Sequence, residues 1–188
     1  MGFYEFEGKQ PRIGKDSYIH PEATIIGNVS IGEGCYVAAG ARIRGDWGSI
    51  VIGHYSNVQE NCVIHVYPGE TAVLGSRSHV GHGAILHTPN LGDHVLVGMG
   101  AIIMDRVTIG SGCCIGAGTL ITEGMVIPPY KIVMGVPAKV VADVDDEMKV
   151  RLDKGTAYYQ ALPDRCFKGM KEVRLVDILE KSLTVRGF

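Results

Sequence analysis

At 188 residues, with 46% hydrophobic residues and a formal net charge of −2, the chain has the length and composition of one folded domain. That charge supplies no basic surface for nucleic acid or an anionic membrane, and no apolar run approaches transmembrane length. The start, Met1-Gly2-Phe3-Tyr4-Glu5, lacks the basic and apolar regions of a signal peptide, and five cysteines without CxxC spacing argue against a disulfide framework, so a reduced, cytoplasmic protein is expected.

From the N-terminus onward the dominant signal is a repeat of six. Apolar residues stand at Ile13, Ile19, Ile25, Ile31, Val37 and Ile43, resume at Ile52, Val58 and Ile64, and again at Leu74, Val80 and Leu86. A third stretch runs Leu91, Val97, Ile103, Ile109, Ile115, Ile121, Ile127 and Val133. Two residues earlier the side chain is nearly always small or β-branched, as at Ala23, Cys35, Ala41, Cys62, Ser78, Ala84, Cys113 and Thr119. Neither a helical period nor simple alternation produces this pattern. Both slots can face a narrow interior only if the chain turns between short strands every six residues. Three such strands make a triangular coil of about 18 residues, and roughly seven coils stack at the strand spacing of about 4.8 Å. Cys35, Cys62 and Cys113 occupy the small inward slot, whereas Cys114 and Cys166 fall outside it. The pattern resembles the hexapeptide-repeat family, a likeness that implies left-handed winding against the usual right-handed crossover.

The repeat is interrupted around Asp46-Trp47-Gly48, around Tyr67-Pro68-Gly69-Glu70, and at Pro89-Asn90, where one residue is missing. All three breaks map to one corner of successive coils, and insertions on a rigid scaffold tend to carry function. After Gly135-Val136-Pro137-Ala138-Lys139 the repeat ends. Asp145 to Ala161 reads as a helix with Met148, Leu152, Ala157 and Ala161 on one face and acids in its first turn. Beyond Cys166 the pattern is mixed, and Val173, Leu175, Val176, Ile178 and Leu179 mark a second short helix or an arm. The expected fold is therefore mainly β: a parallel β-helix over 1–142, with a C-terminal α-helix and tail, 143–188, packed on the prism.

Laying the sequence on three faces places Ile43, Ile64 and Leu86 on one face of consecutive coils. The residues that follow, Arg44, His65 and His87, then point outward in a single column. His82 shares a coil with His87 but lies on another face, too divergent for both to hold one ion within one chain. If the prisms pack as a homotrimer, one subunit's His65 and His87 meet the next subunit's His82. Three imidazoles with an open fourth position form the arrangement that brings the pKa of bound water to about 7, suiting attack on CO2, a thioester or another carbonyl. Imidazole serves Zn2+, Fe2+ and Co2+ alike. A single outward histidine is ordinarily a solvated surface residue, and His20, His54, His79 and His94, outside the column, are read that way.

The motifs Arg44-Gly45-Asp46, Asn57-Val58-Gln59-Glu60, His65, Gly81-His82 and His87 resemble those of the γ-class carbonic anhydrase family, over roughly residues 10–142. The resemblance implies a trimer with His65, His82 and His87 as shared metal ligands. It implies that Gln59 orients the attacking hydroxide, that Asn57 helps to position CO2 or bicarbonate, and that Arg44 and Asp46 form an intersubunit ion pair, with Glu60 pairing across the same interface. The family's archetype carries a glutamate proton shuttle on a long acidic loop; the matching loop here, Val66-Tyr67-Pro68-Gly69-Glu70, is short. Within that family the opening Ser17-Tyr18-Ile19-His20-Pro21 and the tail Gly155-Thr156-Ala157-Tyr158-Tyr159-Gln160 with Arg165-Cys166 are similar to the γ-carbonic-anhydrase-like proteins of phenylacetate degradation, which are linked to hydrolysis of ring-type acyl-CoA thioesters. By position, Tyr159 either approaches the site from the C-terminal helix or, the plainer reading, joins Tyr158 in anchoring that helix. The expected function is metal-dependent hydration of CO2, with acyl-CoA hydrolysis as the alternative. A metal-free acyltransferase using a lone histidine, and a scaffold subunit, fit the three histidines less well.

Overall fold

The structure is a computed structural model and describes residues 2–182. Positions 183–188 of the anticipated tail lie outside the described residues, as does the side chain of Leu179. The chain is a left-handed parallel β-helix of about seven coils closed by C-terminal helices. Short strands stack into three ladders whose Cα register reproduces the six-residue pattern. The first face stacks Ile25, Ile43, Ile64, Leu86, Ile103 and Ile121. The second stacks Ile31, Ile52, Leu74, Leu91, Ile109 and Ile127. The third stacks Ile19, Val37, Val58, Val80, Val97, Ile115 and Val133. These side chains are buried and, with the small slot of Ala23, Cys35, Ala41, Cys62, Ala84 and Cys113, form one continuous apolar core. Ile13 is the exception at 37% exposed, because it stands on the first coil and only the strand Thr24–Ile31 covers it on one side.

Coils stack this closely where glycine stands at a corner. At Gly75 a Cβ would run into the Gly92 carbonyl of the next coil. Among non-glycine corner residues, Asn61 takes the left-handed conformation at φ 59°.

The strand Lys139–Asp143 folds back antiparallel on Lys131–Met134 and delivers the chain to α1, Asp146–Gln160. Asp145 caps this helix by accepting from the Met148 N–H at 2.8 Å. Two more helices follow, α2 (Leu162–Gly169) and α3 (Leu175–Ser182). Of these, α3 answers to the apolar run at 173–179. The α2 helix was not expected; Pro163 sits in its first turn, where its missing N–H costs nothing.

The buried face of α1 also differs from the expectation. Leu152 and Thr156 are buried while Ala157 and Ala161 are exposed. Leu152 and Thr156 are four apart and share the inward stripe; Ala157 lies about 100° further round. Helices α1 and α2 pack on the third face and explain the two remaining cysteines. Cys114 packs with Val144, Leu152 and Met148, and Cys166 with Tyr36, Ala38 and Tyr159. No described helix is long and apolar enough to cross a membrane.

Candidate metal centre

The corner between the first and second faces carries the interruptions of the repeat. The strand Arg42–Ile52 holds an insertion, seen where pairing with the preceding coil jumps from Gly27–Gly45 to Val29–Ile50. Gly48 lets this insertion lie against the next one, since a Cβ there would collide with the Glu70 carbonyl. Arg44, His65 and His87 are Cα partners on consecutive coils, so the anticipated column exists. Arg44 Nη1 donates to Asp46 Oδ2 at 2.5 Å, and His65 Nε2 is 3.0 Å from Asp46 Oδ1. The Arg44–Asp46 pair, anticipated between subunits, closes within one chain, because residues two apart on a strand point the same way. Trp47 packs on the His65 ring at 5.0 Å between centroids.

His65 Nδ1 and His87 Nε2 face each other at 3.0 Å, and His87 Nδ1 is 2.5 Å from Asp105 Oδ1. The carboxylates dictate the tautomers. Burial raises the Asp46 and Asp105 carboxyls, but Arg44 and His65 on one, and His87 and Thr88 on the other, hold both below the ordinary carboxylate range. Each ionised carboxylate therefore takes an imidazole N–H, leaving His65 Nδ1 and His87 Nε2 as opposed bare lone pairs. Burial, assisted by Arg44 and His87, holds the His65 pKa below its usual value although Asp46 opposes it, which disfavours a bridging proton. A metal cation satisfies the arrangement: two nitrogens on a tetrahedral ion with bonds of about 2.0–2.1 Å stand roughly 3.3 Å apart. The donor set fits.

His82 lies at the other corner of the first face, in the turn after the strand His79–Val80. Its Nδ1 is 2.5 Å from Glu60 Oε2, and both side chains are about half exposed. Glu60, expected to pair across the interface, is thus engaged within its own chain. Among the described residues no three metal-ligating side chains converge in one chain, and His82 is not brought to His65 and His87. All three histidines nevertheless share one feature: a carboxylate holds the nitrogen that is not offered outward. Asp105 was not anticipated: on the next coil Met104, after Ile103, holds the place that His87 holds after Leu86, and Asp105 stands one residue beyond that column.

Asn57 and Gln59 sit on the third face, beneath α1. Both are buried, and Gln59 Nε2 donates to Asn57 Oδ1 at 3.0 Å. Asn57 Nδ2 is 2.7 Å from His79 Nδ1, and His79 Nε2 is 2.7 Å from Thr156 Oγ1 on α1. His79, read from sequence as a surface residue, is 3% exposed, because α1 lies across it. Tyr159 packs edge-on against His79 at 5.6 Å and is half-buried, which raises its phenol pKa. Together with Tyr36, Glu60, Tyr158, Leu162 and Arg165 it lines a groove of about 300 Å³ beside the Glu60–His82 pair.

Residues 10–45 and 88–123 match the family described as bacterial transferase hexapeptide (six repeats). The carnitine operon protein CaiE of Escherichia coli K12 is 34% identical over 182 residues, covering 97% of this chain and 93% of that protein. CaiE of Proteus sp. LE138 is 38% identical, over 92% of this chain and 87% of that one. A Bacillus cereus structure described as a candidate acetyltransferase superposes with TM-score 0.84 and 35% identity, over 86% of this chain and 94% of that one. A hexapeptide transferase family protein from Anaplasma phagocytophilum superposes with TM-score 0.83 and 33% identity, over 87% and 96%. Identity sustained over nearly the whole length of these relatives establishes that the chain belongs to the bacterial hexapeptide-repeat transferase family, alongside the carnitine operon protein CaiE.

Proposed function

We propose that the protein is a metal-dependent enzyme of γ-carbonic-anhydrase type, hydrating CO2 to bicarbonate at centres shared between subunits of a homotrimer. The observation that carries this is the set of three histidines, each backed by a carboxylate, with two of them turning bare nitrogens toward each other at 3.0 Å. Carboxylates in that position fix the tautomer and raise the basicity of a ligating imidazole.

Hexapeptide β-helix proteins are typically homotrimers. The first face of this prism is flanked by His82 at one edge and by His65 and His87 at the other. It exposes Val63, Ile85 and Ile102, aligned on successive coils and about 40% accessible each, an apolar stripe that favours association. Turning that face to a threefold axis brings each subunit's His82 edge to its neighbour's His65–His87 edge. His65, His82 and His87 would then hold Zn2+, Fe2+ or Co2+, which supplies Lewis acidity and brings a water's pKa to about 7. The chain's own residues do the rest. Asp46, Glu60 and Asp105 orient the imidazoles, Arg44 steadies Asp46, and Gln59, held by Asn57, offers an amide that orients the attacking water without titrating.

A second reading is hydrolysis of an acyl-CoA thioester. It is favoured by the groove at Tyr36, Tyr158, Tyr159 and Leu162, larger than CO2 requires, and by Glu70, which is tied to Arg106 at 3.5 Å instead of standing free as a proton carrier.

Stopped-flow CO2 hydration by protein reconstituted with metal without oxygen, with His82→Ala as control, separates the two. A rate well above the control, together with loss of metal from the variant, is the expected result. No rate above the control, with metal verified in the wild type, transfers the assignment to the thioester.

A further inference from the structure

The hydrogen bonds running from Gln59 to α1 can be assigned a direction, and the direction is set at the helix. Thr156 Oγ1 lies 2.8 Å from the Leu152 carbonyl one turn earlier. A carbonyl only accepts, so the single hydroxyl proton of Thr156 is committed there. The same oxygen is 2.7 Å from His79 Nε2 and 3.0 Å from His94 Nε2, and it can only accept from both. His79 therefore carries its proton on Nε2 and presents a bare Nδ1. That nitrogen requires a donor, so Asn57 turns its NH2 toward it and its Oδ1 toward Gln59. Gln59 must answer with its own NH2. Among the described residues its Oε1 then has no partner, and it is the acceptor end of the series.

We infer that His79 and Thr156 are positioning residues for Gln59: the α1 helix locks the amide so that Oε1, never the NH2, is offered outward. The inference rests on the proposed role of Gln59 in orienting a water, since an acceptor there can take only a water's proton. Burial pushes the His79 pKa down to about 4, with His94 and Arg77 acting in the same sense, so the neutral tautomer required by the series persists at neutral pH. Every polar atom of the series between the Leu152 carbonyl and the Gln59 NH2 is paired, and a partly satisfied buried network would be costly.

The test is nitrogen-15 NMR on the intact, metal-free protein, comparing wild type with Thr156→Val and Thr156→Ser. In the wild type His79 should be the Nε2–H tautomer, and the Gln59 side-chain NH2 should give two resolved, slowly exchanging proton signals. Thr156→Val should move both Gln59 NH2 signals toward free-amide shifts and speed their exchange with solvent, and Thr156→Ser should restore the wild-type shifts. In reconstituted protein the valine variant should lower kcat on the order of tenfold with KM and metal content unchanged, because misorientation costs rate while a stabilising role would move only the melting temperature. An Nδ1–H tautomer in the wild type overturns the inference even if the valine variant does not fold, as do Gln59 signals unchanged by Thr156→Val. Absence of CO2 hydration in the wild type would count against the proposed reaction alone, since the NMR results stand without it.

Discussion

At the scale of single residues, the proposed centre is built from pairs. His65 with Asp46, His82 with Glu60 and His87 with Asp105 each couple an imidazole to a carboxylate on the nitrogen turned away from the opposed lone pairs or the exposed edge. Removing the charge behind His87 should therefore weaken metal binding without touching a ligand. Asp105→Asn is expected to lower affinity between about 10- and 100-fold, measured by competition with a chromophoric chelator. Unchanged affinity would show that Asp105 only fills the corner. The histidines were legible in the sequence because the repeat fixes which residues point outward, and Arg44, His65 and His87 follow their inward neighbours without exception. Their carboxylates were legible only in part. Asp46 stands beside Arg44 in an obvious motif, whereas Asp105 lies one coil beyond its partner, inside Met104-Asp105-Arg106, where nothing local marks it.

At the scale of elements, α1 acts as a clamp on the third face. Its docking joins an apolar seam, where Leu152 and Met148 meet Cys114 and Leu96, to the polar contact between Thr156 and the two histidines. The polar part is sensitive to pH. With His79 near 4 in the folded chain and about 6.5 when unfolded, the unfolded state binds more protons between those values. Stability is then level above about pH 6.5 and falls as the pH drops toward 4, by up to roughly 3 kcal/mol for this one group. His94, also held down by burial, adds in the same direction. Denaturant unfolding at pH 7 and pH 4.5 should show this loss, and His79→Gln should be flatter across the same window. An equally steep loss in that variant would contradict the assignment. Helix α1 was visible in the sequence from its acidic start and apolar spacing, but its buried face was not. Thr156 looks like a surface residue until the partner histidines are known, and alanines at 157 and 161 offer a plausible stripe that packing does not use.

For the whole molecule, the hexapeptide rule sets the fold so strictly that all three ladders follow from the spacing of aliphatic residues. The rule says nothing of how one prism meets another. The two edges of the first face each carry part of the proposed ligand set, and among the described residues of one chain they remain apart. The function thus turns on whether the site is shared. Mixing subunits decides this most directly. His82→Ala and His87→Ala proteins are prepared separately, then unfolded and refolded together, and bound metal is counted per trimer. Each variant alone should bind none. In the mixture an intact centre forms wherever the His82 of one variant meets the His65 and His87 of the other, which random assembly yields at roughly a quarter of interfaces. Metal recovered near that fraction, with CO2 hydration in proportion, is the predicted result; mixed trimers with no more metal than either parent would contradict a centre shared between subunits.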